Sequence, residues 1–556
     1  MTKGNNQYNV VWAIVDSVRH YHTEGDDRTR LKFMDEFANE SIEFTHVITS
    51  APSTVMSISA MMTSLPSFYL GRNYSDFRFD NNYFTTLSSI LNSEGYETRA
   101  LLMHPDIRDK LRVFDLISSK YWPKGFSHKN WWDNKKINSL LKNSLRIDGK
   151  NSPKPCFWFL DFNCREDPDT SDIVQDSFNA LIEAGYTKEN TIFILCSDHG
   201  YPDPKRGITP ELLKEKNMSH DVFMTEDNIR IPLFISYPGC DEGKKVNEII
   251  STLDLKPTIL DLLGIDVTED ITSKWHGKSL VNLINQEDPN YDLERLIRVD
   301  ARFFGQPGRV SALSGRDYKY VFHHDSQEEE FIDLSNYLED EKNVINECVN
   351  DSELEFKLNH FRQSFLQTEE AGVNFQISYA VNKLTSAFKT VSKSKPTFLI
   401  ISYLPISLLD SIAKAVQEII PDVELIVSCP LDDQSIENPT YQLKPFKVTD
   451  ELISFVDKEV NSINVDFCIN VSDHSSEEKD LLLQKFIKTI KPRKSVTMDL
   501  NMTLSINKGQ ISRYLKTLYH KKDFFLEEPS LILFEMKKIF RVLFNRTIKP
   551  LIKNGK

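Results

Sequence analysis

Three segments carry the residues best able to do chemistry. Asp16 closes the apolar run Val10–Asp16 (VVWAIVD), and Asp198 and His199 follow Thr191–Ser197 (TIFILCS), just before Gly200. Both runs read as buried strands, so all three side chains stand at strand ends. Open parallel α/β sheets bind ligands beyond the carboxyl ends of their strands, and one crevice would gather all three groups. Two carboxylates and an imidazole suit a divalent cation: oxygen-rich sites favour Ca, Mg or Mn, and added nitrogen favours Zn. The third segment, Thr49–Ser64 (TSAPSTVMSISAMMTS), supplies hydroxyls. Pro52 breaks the preceding structure, and Val55–Thr63 reads as a helix with Ser53 or Thr54 at its N-terminus. Helix N-termini attract anions through their free N–H groups and dipole. A hydroxyl there, beside a divalent cation, is activated for attack on phosphorus or sulfur. Taken singly, a strand-end aspartate is an ordinary turn residue and a threonine at a helix start an ordinary cap.

The elements that must position these groups follow from the hydrophobic pattern. Val10–Val15, Phe157–Leu160, Thr191–Cys196 and Ile231–Tyr237 are short, apolar and bounded by polar or turn residues, as buried strands are. Thr85–Glu94 and Ser171–Ala184 between them are helix-like. Such alternation predicts a mostly parallel sheet with helices on both faces. Residues 254–346 read as a helix, a loop-helix and a small set of antiparallel strands that complete the first domain. Residues 351–396 read as a helical connector ending in the Ser/Lys-rich linker Thr390–Pro396, so the first domain spans 1–350. A second, smaller α/β domain over 397–556 begins with Phe398–Ser402, helix Leu408–Ile419 and strand Glu424–Cys429. It continues with Phe467–Val471 and helix Glu477–Ile490, and has neither a GxGxxG nor a P-loop. Asp473 and His474 at another strand end read as a plain loop.

Composition narrows the function classes. The 556 residues hold 67 Lys+Arg against 81 Asp+Glu, a formal charge of −14, which disfavours binding along nucleic acid. The terminal stretch Met536–Lys556 runs against that balance, with seven Lys/Arg and no acid. Its one-sided apolar pattern suits either a packed final helix or peripheral contact with an anionic membrane. Seven cysteines, an odd number with no CxxC pair, read as scattered reduced thiols. The polar start MTKGNNQYN leads into an apolar run too short for a secretory signal, and no later run approaches a membrane span. These features together predict a soluble, cytoplasmic protein.

The order of short matches resembles the sulfatase family of the alkaline phosphatase superfamily over about residues 8–346. Asn9–Arg19 (NVVWAIVDSVR) is similar to the family's opening strand and metal aspartate, Phe44–Ser64 to its nucleophile segment, and Asn190–Gly200 (NTIFILCSDHG) to its most recognisable signature. Glu226–Pro232 (EDNIRIP), Leu253–Ile265 (LDLKPTILDLLGI), Gly277–Leu280 (GKSL), Tyr318–Tyr320 (YKY) and Phe331–Leu334 (FIDL) follow in the family's order. The resemblance implies an alkaline-phosphatase-like sheet sandwiched by helices. It assigns Asp16, Asp198 and His199 as metal ligands and Thr54 as nucleophile and further ligand. His220 falls near the place of a substrate- or leaving-group-contacting residue, or is a loop histidine.

Departures from the family pattern shape the expected chemistry. Sulfatases proper carry a Cys or Ser, with Pro and Arg at set positions after it, that is oxidised to formylglycine. Here Thr54-Val55-Met56-Ser57-Ile58 lacks both partners, and threonine cannot yield that aldehyde. Threonine resembles instead the nucleophile of related phosphodiesterases and phosphotransferases. Ser17 replaces the second aspartate of many sulfatases. In Phe159–Pro168 (FLDFNCREDP), Asp161 is followed four residues later by Arg165 where two-metal phosphodiesterases have a histidine. The expectation is one divalent ion (Ca, Mg, Mn or Zn), with Arg165 supplying positive charge to the substrate, or serving as a salt-bridged surface residue. The predicted activity is hydrolysis or transfer of sulfate or phosphate esters, on a glycan or lipid. The alternative is a non-catalytic pocket that binds an anionic glycan or lipid.

Overall fold

A computed structural model describes residues 7–388 except 24–27, 71–83, 103–132, 149–153, 165–168, 210–211, 213–219, 286–291, 293, 303–308 and 325. Beyond these it describes the strands of a C-terminal sheet and positions 409, 412–414, 416–417 and 423. The chain divides into two compact units, Met1–Gln376 and Ile377–Lys556. Thr390–Pro396, Asp473, His474, Glu477–Ile490 and the basic stretch Met536–Lys556 lie outside the described residues.

In chain order the first unit opens with β1 (Asn9–Asp16), α1 (Lys32–Ala38), β2 (Ile42–Ile48), α2 (Thr54–Thr63), α3 (Ser67–Leu70) and α4 (Leu87–Ser93). Then come β3 (Glu97–Leu101), α5 (Asn134–Asp148), β4 (Cys156–Asn163), α6 (Thr170–Glu183), β5 (Thr191–Cys196), α7 (Glu226–Ile229) and β6 (Arg230–Ser236). Two short strands, β7 (Lys245–Val246) and β8 (Ile250–Ser251), precede α8 (Leu255–Leu262). The main sheet has the order β3-β4-β1-β5-β6-β2-β7, with β8 also on β2. Its centre is parallel, β1 pairing β4 and β5, whereas β6 runs antiparallel to β5 and β2.

Burial on both faces explains why Val10–Val15 of β1 and Ile192–Cys196 of β5 are continuously apolar rather than alternating. Val11, Ala13 and Val15 join Trp158, Leu160, Phe162, Phe193 and Leu195 in a core with Phe33 and Phe37 of α1 and Val174, Phe178 and Leu181 of α6. The alternate residues Val10, Trp12 and Ile14 are equally buried. Helix α2 joins α3, α4 and α8 in a separate layer. The strands and helices predicted for this sheet and its flanking helices match within two or three residues. Strands β2 and β3 escape a period-two reading because both are buried nearly throughout, and β2 also carries the polar side chains of Glu43 and His46 inside.

A five-stranded antiparallel sheet completes the unit: β9 (Ile297–Arg302), β10 (Arg309–Ser314), β11 (Tyr318–His323), β12 (Glu328–Asp333) and β13 (Lys342–Asn343). One face packs Val299, Ala301, Val321 and Ile332 against Ile48, Met224 and Ile229. The other packs Leu313, Tyr320 and Phe331 against Leu358, Phe361 and Phe365 of the long helix α9 (Ser352–Phe388). The second unit holds its own sheet: β14 (Thr397–Ser402), β15 (Glu424–Ser428), β16 (Gln442–Leu443), β17 (Phe467–Ser472), β18 (Lys494–Asp499) and β19 (Leu504–Ile506). It is parallel except at β18–β19.

A buried ion cluster joins the antiparallel sheet to α7. Lys319 Nζ, in the YKY segment of β11, lies 3.1 Å from Glu226 Oε1 and 2.7 Å from Glu341 Oε2. Burial alone would lower the lysine's pKa, but Glu341 and Glu226 outweigh it and the net shift is upward. Removing one partner of such a cluster strands buried charge. Lys319→Met is expected to destabilise the protein by about 3–5 kcal/mol, read as a lowered thermal midpoint; an unchanged midpoint would contradict the arrangement.

His46 lies where the β2–β6 register shifts between Phe44 and Val47. Its Nε2 has no hydrogen-bond partner among the described residues. Burial, then the charges of Arg230 and Arg316, push its pKa down to about 3. A base whose folded pKa is depressed stabilises the fold above its unfolded value of about 6.5. That contribution drains away as pH falls from about 6.5 towards about 3. At pH 5 the loss is about 2 kcal/mol. His46→Phe should flatten the acid limb of a urea-midpoint profile by about that much relative to wild type.

Candidate active site

Strand register brings the acids together. In the β1–β5 pairing Ile14 stands beside Cys196, so Asp16 and Asp198, each two residues on, emerge at one level. Asp16, Asp198 and His199 are all buried, and one potential ligand atom from each lies within 4.8 Å of the others. Burial pushes the Asp198 carboxyl upward; His199 opposes that shift, and the charge of Asp16 adds to it.

His199 shows how its ring is used. Its Nδ1 lies 2.7 Å from the Gly200 carbonyl oxygen, which can only accept, so Nδ1 carries the proton. In the neutral ring the Nε2 lone pair therefore points inward, 3.4 Å from Asp198 Oδ2 and 3.6 Å from Asp16 Oδ1. Lone pairs turned on one another repel unless a cation stands among them. Asp198 Oδ2 is buried with no hydrogen-bond partner among the described residues. The donor set therefore fits a divalent cation, and the backbone-held imidazole has the orientation of a metal ligand.

Helix α2 delivers Thr54 to the same place. Thr54 Oγ1 lies 3.2 Å from His199 Nε2 and 3.4 Å from Asp16 Oδ1, and the side chain is partly exposed. Thr54 is the first helical residue and Ser53 the N-cap, whose hydroxyl makes no capping bond. One turn on, Ser57 donates to the Asp198 carbonyl at 2.7 Å, as Thr49 does from the end of β2. These hydroxyls bolt the helix to the acidic loop. The sequence reading missed Ser57, although a serine three residues after Thr54 shares its helical face.

Further groups brace the loop. Ser197 Oγ accepts from the Val18 N–H at 3.0 Å and reaches the Val15 and His199 carbonyls, tying the ends of β1 and β5. The Arg19 guanidinium, fully buried, donates to the Tyr201 and Pro202 carbonyls. Gly200 is needed for close approach: a Cβ there would lie 2.0 Å from the Asp227 carbonyl oxygen.

His220 also reaches the site. Its ring lies 4.8 Å from that of His199 and 5.0 Å from that of Tyr201, tilted by 30° and 35°. Asn228 holds its backbone by donating to the His220 and Phe223 carbonyls at 2.9 and 2.7 Å. Asp161 is buried in β4 beside Ile14, whereas Arg165 lies outside the described residues. A cavity of about 410 Å³ opens elsewhere, near Phe68, Tyr69 and His276. Its Arg295 and Arg298 are paired with Asp254 and Asp300, which suits an anion poorly.

Comparison with known proteins gives a consistent assignment. The Sulfatase family profile matches residues 8–162, and the N-sulphoglucosamine sulphohydrolase C-terminal profile matches residues 215–365. An ulvan-active sulfatase of Formosa agariphila is 35% identical over 136 residues, 24% of this chain and 24% of the relative. An extracellular sulfatase SULF-1 homolog of Drosophila melanogaster is 34% identical over 111 residues, 20% of this chain and 9% of the relative. The chain thus spans a quarter or less of the length of these relatives. Among solved structures, a 2-O GAG sulfatase matches with a TM-score of 0.50 at 17% identity, covering 66% of this chain and 92% of its own.

The Drosophila relative overturns the cytoplasmic placement expected from the sequence, because it is an extracellular sulfatase. The described cysteines are free and all but Cys240 are buried, so they report core packing rather than a compartment. Fold, order of motifs and both profiles agree: the chain belongs to the sulfatase family of the alkaline phosphatase superfamily.

Proposed function

We propose that the chain is a metal-dependent hydrolase of sulfate esters on a glycan, working through a covalent intermediate on Thr54. The observation that carries this is the threonine hydroxyl at 3.2 and 3.4 Å from two members of the buried Asp16–Asp198–His199 cluster. The glycan rests on the ulvan-active relative. Asp16, Asp198, His199 and Thr54 would hold one divalent ion. When bound, it lowers the pKa of the hydroxyl and offsets charge developing on the ester oxygens.

The chain's own groups supply the rest. Thr54 Oγ forms a bond to sulfur while the bond from sulfur to the leaving alcohol breaks. Asp16 Oδ1 and His199 Nε2 are the acceptors within reach of the hydroxyl proton, and Asp16 is the proposed one. The amino end of α2 faces the anion with its dipole. His220, braced against His199, is the proposed proton donor to the leaving oxygen. Arg165 is the proposed contact to the substrate's remaining oxygens. Water then attacks sulfur, releasing sulfate and restoring Thr54.

A single hydroxyl favours one second reading. An ester on threonine leaves only by attack on its central atom, and phosphorus accepts that attack as part of the same chemistry. Phosphate esters, with transfer to an acceptor hydroxyl in place of water, therefore belong in the substrate panel.

Two experiments test the proposal. Aryl sulfate, sulfated oligosaccharide, phosphomonoester and phosphodiester substrates are offered with Ca, Mg, Mn or Zn. Thr54→Ala should lose turnover by on the order of a thousandfold or more, Thr54→Ser should retain part of it, and a carbonyl-reactive hydrazide should leave wild type unlabelled. If no substrate turns over, and a sulfated glycan binds wild type and Thr54→Ala alike, the site is a binding pocket. Metal analysis of the purified protein should find one tightly bound ion per chain; two would remove the place proposed for Arg165.

A further inference from the structure

Ser17 is the least expected residue at the site. It follows Asp16 with φ +64°, in the left-handed region that favours glycine. A glycine would make this turn with less strain, so the side chain needs a reason. Both of its donors point at the acid pair: the Ser17 N–H reaches Asp198 Oδ1 at 3.2 Å, and Ser17 Oγ donates to Asp16 Oδ1 at 2.8 Å.

We propose that Ser17 is a positioning residue, a clamp that orients both carboxylates before the cation arrives. The left-handed turn swings its N–H across to β5 while the hydroxyl folds back on Asp16. With Asp198 Oδ1 engaged, Oδ2 of the same carboxylate faces His199 Nε2 at 3.4 Å. The carboxylates are thus fixed by neutral hydrogen bonds instead of a further charged ligand. Strain held at one residue is the cost of that arrangement, as at other functional turns. The inference rests on the reading that Asp16, Asp198 and His199 hold a cation.

Backbone strain and hydroxyl donation can be separated by substitution. The full chain, stripped with chelator, is titrated with Mn²⁺ and with Ca²⁺ by calorimetry, and its unfolding temperature is recorded without metal. Ser17→Gly should unfold at a higher temperature than wild type while binding the ion at least about tenfold more weakly. Ser17→Ala keeps the strained turn, so it should lose the same affinity with no rise in unfolding temperature. If both variants bind the ion as wild type does, the clamp is overturned and the cation site stands. If wild type itself binds neither ion, and Asp16→Asn changes nothing, the cation site fails and the clamp with it.

Discussion

Two buried carboxylates at neighbouring strand ends are the constraint on which the site depends. The parallel register of β1 and β5 sets Asp16 level with Asp198 beneath a shell of apolar side chains. Two like charges about 4 Å apart repel by about 4 kcal/mol at an effective dielectric near 20, and desolvation adds to that. The upward push on Asp198 is the visible trace of this cost. A cation among the acids would offset that repulsion, and His199 Nε2 faces both carboxylates. Seen this way, the loop's hydrogen bonds from Ser17, Thr49, Ser57 and Ser197 share one task. They hold an arrangement that its own electrostatics would push apart.

The antiparallel sheet supports that arrangement from behind. Gly200 and Tyr201 donate their N–H groups to the Asn228 and Asp227 carbonyls of α7. Helix α7 in turn carries Glu226 to Lys319, and Asp227 to Arg206. The EDNIRIP and YKY segments, 86 residues apart by their closest numbers 232 and 318, are thus one buried ion cluster. Through these bonds the cluster holds α7, and α7 holds the loop that follows His199. The apolar contact of the same sheet with Ile48 and Ile229 spreads the load over a wide area.

Much of this was legible in sequence because the strongest signals are physical ones. Continuous apolar runs ending in Asp16 and Asp198-His199 declared central strands with polar tips, and Pro52 followed by a helical pattern declared α2. Strand β18 escaped notice because Lys494–Asp499 (KSVTMD) has no apolar run. The partners of Ser57 and Ser197 were illegible for a different reason, even though Ser57 shares a helical face with Thr54. A serine on a helix or after a strand has no pattern that says its hydroxyl will reach a carbonyl more than a hundred residues away. Ser17 was read as a missing ligand, since nothing in its spacing reveals a left-handed backbone. The resemblance to sulfatases supplied the order of the motifs, but the hydrogen bonds that make them a site are tertiary.

Two of the departures from the sulfatase pattern, Thr54 and Ser17, bear on one electrostatic quantity. An ordinary alcohol is a weaker acid than the hydrate of an aldehyde, so a threonine nucleophile demands more of its cation. Every carboxylate around a cation reduces the positive field that reaches the hydroxyl. With Ser17 in place of an acid, the cluster holds two carboxylates, Asp16 and Asp198, and one imidazole, His199. With a cation bound as proposed, one fewer negative charge would leave a stronger field at Thr54 Oγ1, which stands 3.4 Å from Asp16 Oδ1. A centre that retained the second aspartate would screen the cation from the residue that needs it most. On the proposed reading the serine would offset the chemical handicap of the threonine, its hydroxyl supplying by hydrogen bonding to Asp16 the order that a further ligand would impose.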